Sequence, residues 1–81
     1  METFMNKQEF LNRIEEIIEV DAGSLNGDEV LDDLEDWDSL AVMGFIAMVD
    51  KHFGITLDAE KIGQCRSVNE LCDLLGNKVS K

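Results

Sequence analysis

From Leu40 to Val49 the chain runs through ten consecutive apolar or small residues without a charge, introduced by Asp36-Trp37-Asp38-Ser39 and closed by Asp50-Lys51-His52-Phe53-Gly54. The run is about half the length needed to cross a bilayer, so its burial has to come from protein, as the central helix of a small core. Asp38 is suited to cap that helix, because its carboxylate can accept from the free backbone N–H groups of the first turn. Gly54 suits its C-terminus. The helix therefore spans about Ser39 to His52, with the Ser39 hydroxyl at its mouth. Helical geometry directs only part of the run into the core. Phe45, Ile46, Val49 and Phe53 form the inward set, and Leu40, Met43 and Ala47 are left nearer the surface. Gly44 is unusual here, since glycine inside a helix costs about 0.5–1 kcal/mol relative to alanine; close approach of another backbone or of a bound group would account for it.

The remaining elements are arranged around that helix. Asn6 to Glu9 has N-cap spacing, and Phe10, Leu11, Ile14, Ile17 and Ile18 recur at helical intervals, with Arg13, Glu15, Glu16 and Glu19 on the wet side. This first helix ends near Val20, with Gly23 among its terminating residues. Asp21 to Trp37 lacks long periodicity and reads as a long loop, in which Val30, Leu31 and Leu34 form one helical turn anchored by Leu34. Trp37 packs partly buried and orders the loop ahead of Ser39. Ile55-Thr56-Leu57 is an extended connector that buries Ile55, and Asp58 caps a short helix over Ala59 to Ile62. Ser67 and Glu70 form a capping box for a final helix carrying Val68, Leu71, Cys72, Leu74 and Leu75. Gly76 or Asn77 closes it, and Val79 to Lys81 fray. The expectation is one domain over residues 1–81, an all-α antiparallel bundle of three main helices plus one short helix, with a long loop between the first two. Its core is Ile14, Ile18, Leu34, Phe45, Val49, Phe53, Ile55, Leu71 and Leu75.

Charge narrows the function. Eighteen acids against seven bases give a net charge of −11, which excludes nucleic acid and anionic membrane surfaces as partners and favours basic ones. Eleven acids and no base lie from Glu15 through Asp38. A calcium loop does not fit that run: counted from Asp32 or from Asp21, Trp37 or Asn26 falls where an EF-hand needs glycine. Met1-Glu2-Thr3-Phe4 lacks the regions of a signal peptide, so a cytoplasmic protein with no membrane insertion is expected. Cys65 and Cys72 are too few for a disulfide framework; Cys72 reads as core and Cys65 as a loop thiol. No second ligand or nucleophile stands beside His52.

Asp38-Ser39-Leu40, joined to a hydrophobic helix ending Lys51-His52-Phe53-Gly54-Ile55, resembles the acyl carrier protein family, over about Asn6 to Val79. The resemblance implies that Ser39 carries 4′-phosphopantetheine taken from coenzyme A, with Asp38 beside it, and that the arm's thiol bears acyl groups as thioesters. It implies a carrier and not an enzyme, a monomer modified by a phosphopantetheinyl transferase and served by acyl-loading and acyl-transferring enzymes with basic or apolar docking patches. Trp37, Leu40, Met43, Gly44, Ala47 and Asp50 are the docking candidates. The sequence departs from the family where fatty-acid synthase carriers place acids along the serine helix: Ala41 and Gly44 stand where acids are usual, and only Asp50 remains. That points to a specialised pathway of lipid, polyketide or surface-polysaccharide synthesis. The rival readings are a peptidyl, aminoacyl or aryl carrier, and an acidic helical adaptor that docks through Leu40, Met43 and Ala47 without a prosthetic group.

Overall fold

A computed structural model describes residues 5–80 of the chain. Each helix starts where a side chain satisfies a free N–H of its first turn. Asn6 accepts from Glu9 N–H (2.8 Å) ahead of α1 (Lys7–Ile18), and Asp38 from Ala41 N–H (3.0 Å) ahead of α2 (Ser39–Phe53). Asp58 accepts from Lys61 N–H (2.8 Å) ahead of α3 (Ala59–Gly63), and the Ser67 hydroxyl from Glu70 N–H (3.3 Å) ahead of α4 (Val68–Asp73). Glu70 reaches back to Arg66 N–H at 3.0 Å, one residue before the expected box partner. The all-α fold and the long loop are as expected, although the last helix is regular only to Asp73 before turning through a 3₁₀ segment at Gly76–Lys78.

Phe10, Ile14, Ile18, Phe45, Val49, Leu71 and Leu75 are buried together, with Leu34, Phe53 and Ile55 packed partly buried against them. Two anchors differ from expectation. In the long loop the 3₁₀ turn is Leu31–Asp33 and Leu31 is its buried residue, because Leu31 N–H donates to Arg66 O (2.8 Å) and draws that residue under α4; Val30 is left exposed. After α2 it is Leu57, not Ile55, that is fully buried. Val79 does not fray: Val79–Ser80 (β2) pairs in parallel with Met5–Asn6 (β1), and both Met5 and Val79 are buried. Lys81 lies outside the described residues.

The end of α1 is a further correction. Val20 N–H donates to Glu15 O (3.0 Å) and Glu19 N–H to Glu16 O (3.3 Å), the paired bonds of a Schellman cap. The left-handed residue in that cap is Glu19 (φ 60°), not Gly23. Gly23, also at positive φ, lies in the loop and donates its N–H to Glu15 Oε2 at 3.0 Å; Leu25 N–H donates to the same oxygen at 2.9 Å. Glu15, expected on the wet face, is thereby only 1% exposed. The loop turns inward to bury Leu25, its N–H groups need an acceptor there, and a carboxylate on α1 supplies it.

Candidate functional site

The mouth of α2 is held by packing on one side and left open on the other. Trp37 N–H donates to Leu34 O (3.0 Å), and its half-buried ring meets Phe45 edge-to-face at 6.0 Å. Phe45 in turn meets Phe10 at 6.0 Å. This aromatic chain ties the lead-in of α2 to α1 and makes Trp37 a packing residue, consistent with its role in ordering the loop. Asp38 then caps Ala41 N–H, while its backbone carbonyl accepts from Val42 N–H at 3.0 Å. Ser39 follows as the first helical residue, with its side chain exposed. By helical geometry the N–H groups of Ser39 and Leu40 have no acceptor within the helix.

Beside Ser39 a groove of about 500 Å³ opens between α2 and α3, walled by Trp37, Met43, Ile46, Ile62 and Cys65. On the other side of Asp38 lies a smaller hollow of about 280 Å³, bordered by Glu19, Asp36 and Asp38 with Ile17, Leu40 and Ala41. A third depression of about 320 Å³, mostly apolar, runs outward along α2 past Met43, Ile46, Ala47, Asp50 and Thr56. Burial pushes the Cys65 thiol up, and the charges of Glu70 and Asp73 push it further. It therefore stays protonated and is a poor nucleophile at neutral pH. His52 stands at the far end of α2, about 20 Å from Ser39 by helix rise.

The docking candidates separate into two groups. Leu40 (78% exposed) and Met43 (66% exposed) project outward, with Ala47 and Asp50 also exposed. Gly44 faces α1: a Cβ built there would meet Ile17 Cγ2 at 3.4 Å, so the protein neighbour on that side is a side chain of α1 and not a backbone. Ala41, taken from sequence as part of the outer surface, is 4% exposed. It shares the inward face with Phe45 and Val49. An acid at Ala41 would be buried, so its absence carries no information about recognition. Ile46 and Phe53, assigned to the inward set, are half-buried at its edge.

The donor set suits a phosphate ester. An exposed hydroxyl sits at a helix N-terminus, where unpaired N–H groups and the helix dipole favour an anion, and an apolar groove beside it can shelter an attached chain. Among the described residues no group of three or more His, Cys, Asp or Glu side chains could hold a metal ion, and no helix is long and apolar enough to cross a membrane.

Comparison with known proteins agrees with this chemistry. Residues 8–75 match the family model described as "Phosphopantetheine attachment site". The acyl carrier protein of Petrotoga mobilis (strain DSM 10674 / SJ95) is 33% identical over 82 residues, covering 94% of each chain. No solved structure matches at a significant level. The chain thus belongs to the phosphopantetheine-bearing carrier family of which acyl carrier proteins are members, and its prosthetic group is 4′-phosphopantetheine.

Proposed function

We propose that Ser39 is the attachment residue and that residues 1–81 form one monomeric, cytoplasmic carrier domain serving a specialised acyl pathway. The observation that carries this reading is the exposed Ser39 hydroxyl on the first turn of α2, open to the groove beside Met43. Attachment forms a bond from Ser39 Oγ to the β-phosphorus of coenzyme A, with the nucleotide half leaving. A partner transferase takes the hydroxyl proton. The arm supplies a thiol for thioester chemistry. This chain's part would be to hold the phosphate and position the arm: the N–H groups of Ser39 and Leu40 would be the donors available to the phosphate, Asp38 keeps the first turn formed, and Trp37 orders the approach to it.

The specialised pathway is supported by the outer face of α2, where Leu40, Met43 and Ala47 leave no acid between Ser39 and Asp50. With Ala41 and Gly44 turned inward, the argument rests on those three residues alone. Intact mass after incubation with coenzyme A and a phosphopantetheinyl transferase tests the site. One phosphopantetheine should be added to the wild type and none to Ser39→Ala, with both melting alike. Addition to another residue, or no addition by several transferases, would sink the proposal.

A further inference from the structure

We infer that Asn26-Gly27 is a site of self-modification, where the Gly27 nitrogen closes on the Asn26 side chain and expels ammonia, and that the carboxylate of Glu29 holds it latent in the folded chain. The reaction needs no partner enzyme. A bond forms from Gly27 N to Asn26 Cγ, the N–H proton leaves with the side-chain nitrogen as ammonia, and water then opens the cyclic imide at either carbonyl to give aspartate or isoaspartate. Asn26 is exposed, so water reaches it, and Gly27 brings no side chain to obstruct closure. The fold insists on that glycine: it lies at φ 109°, and a Cβ there would collide with Asn69 Oδ1. The reactive pair therefore cannot be relieved by enlarging its second residue.

The loop's hydrogen bonds oppose closure at one atom and favour it at another. Gly27 N–H donates to Glu29 Oε1 at 2.8 Å and Asn26 N–H to Oε2 of the same carboxylate at 2.9 Å, so the peptide groups on both sides of Asn26 are clamped. The Gly27 nitrogen has to give up its proton to attack, and the negative charge it gains is disfavoured beside an anion. Burial pushes the Glu29 carboxyl up, but the backbone N–H groups around it pull it further down, and it is ionised at neutral pH. Asn26 Oδ1, for its part, accepts from Asp28 N–H at 2.8 Å, a donor placed to stabilise the oxyanion that forms on that oxygen as the ring closes. One contact restrains the nucleophile while another prepares the electrophile. When the Glu29 carboxylate is withdrawn, closure proceeds.

The product acts on the loop. Gly27 O accepts from Asn69 N–H at 2.8 Å; together with Val68 N–H to Glu29 O (3.1 Å) and Leu31 N–H to Arg66 O (2.8 Å), this bond ties residues 27–31 to the start of α4. Isoaspartate routes the main chain through the side-chain methylene and lengthens it ahead of Gly27, so that carbonyl loses its register with Asn69. The loop that leads to Trp37 and the mouth of α2 is then untied at one end. Refolding does not reverse the change, so it records how long the loop has been open.

The test incubates the full chain at neutral pH over days and follows, by peptide mass, the conversion of amide to acid at Asn26. The wild type should convert about tenfold faster in urea, where the clamp is lost, than when folded. Glu29→Gln keeps an acceptor but removes the charge, and should speed conversion in the folded state about fivefold, the order of one charge-assisted hydrogen bond. Gly54→Ala, which weakens the far end of α2, controls for general loosening and should leave the folded rate unchanged. The isolated isoaspartate form should melt below the wild type. The inference is overturned by a folded wild type that converts as fast as in urea, by Glu29→Gln converting no faster than the wild type, or by equal acceleration in Gly54→Ala. No conversion at Asn26 even in urea, or an isoaspartate form that melts like the wild type, overturns it as well.

Discussion

The two long helices encode their burial in opposite ways. In α1, apolar and charged residues alternate at helical spacing, and Phe10, Leu11, Ile14 and Ile18 are buried as their spacing dictates. Its exception is a charged residue, Glu15, taken inside to serve the loop. In α2 nearly every position is apolar, so periodicity cannot separate inside from outside, and size runs against burial: the small Ala41 is inside while Leu40 and Met43 are in solvent. The difference teaches that an apolar stripe is legible only when polar residues frame it. Where they do not, the neighbouring elements decide which face is buried.

The sharpest way to break that comparison is to place the same charge on the two faces of α2. Ala41→Glu should cost on the order of 3–5 kcal/mol, because it buries an unpaired carboxylate and overpacks the core. Against a stability of roughly 4–12 kcal/mol for a chain of this size, urea or thermal melts should show a large drop in midpoint. Met43→Glu should stay within about 0.5 kcal/mol of the wild type. Equal melting of the two would mean that Ala41 is not inside.

On α1 the corresponding test removes the exception. Glu15→Ala should destabilise by about 1–3 kcal/mol, since it leaves the buried Leu25 N–H and the part-buried Gly23 N–H without their acceptor. Glu15→Gln, which keeps an acceptor, should cost less. Hydrogen exchange at those two amides should accelerate in Glu15→Ala ahead of the rest of the chain. If Glu15→Met proves as stable as the wild type, the buried charge costs as much as its two hydrogen bonds contribute.

The helix ends sharpen the comparison further, because α2 uses glycine for its left-handed cap (Gly54, φ 68°) and α1 uses Glu19 at φ 60°. Glu19→Gly should stabilise by about 1 kcal/mol and Gly54→Ala should destabilise by a similar amount. Within α2, Gly44→Ala places a methyl in ordinary contact with Ile17 Cγ2 at 3.4 Å. The gain in helix propensity should then dominate, raising stability by about 0.5–1 kcal/mol, whereas Gly44→Leu should push α1 away and lower the melting temperature.

The smallest effect concerns acid. Burial pushes the Glu29 carboxyl up, but bonds from the N–H groups of Asn26, Glu29 itself and Gly27 outweigh it and hold the carboxyl below its usual 4.5. A depressed folded value contributes stability that is present above about pH 4.5 and lost as pH falls through the folded value. Glu29→Gln should therefore flatten a small part of the acid limb of a pH–stability curve. An unchanged limb would mean that those N–H groups are equally well served by a neutral side chain.

Sequence alone determined where each helix begins. Caps at Asn6, Asp38, Asp58 and Ser67 act through bonds spanning three residues, and such local chemistry is readable wherever it occurs. Ser39 followed by an uncharged helix was equally plain. Tertiary structure decided what depends on contacts between distant segments. Glu15 is buried because Gly23 and Leu25 fold back over it; Leu31 anchors the loop because Arg66 offers a carbonyl; Val79 is ordered because Met5 lies alongside. On α2, only the position of α1 and the loop turned Ala41 and Gly44 inward and left Leu40 and Met43 facing solvent. A helix's own sequence sets how much apolar surface it has, but which part is covered depends on what packs against it, and that energy belongs to the pair of elements.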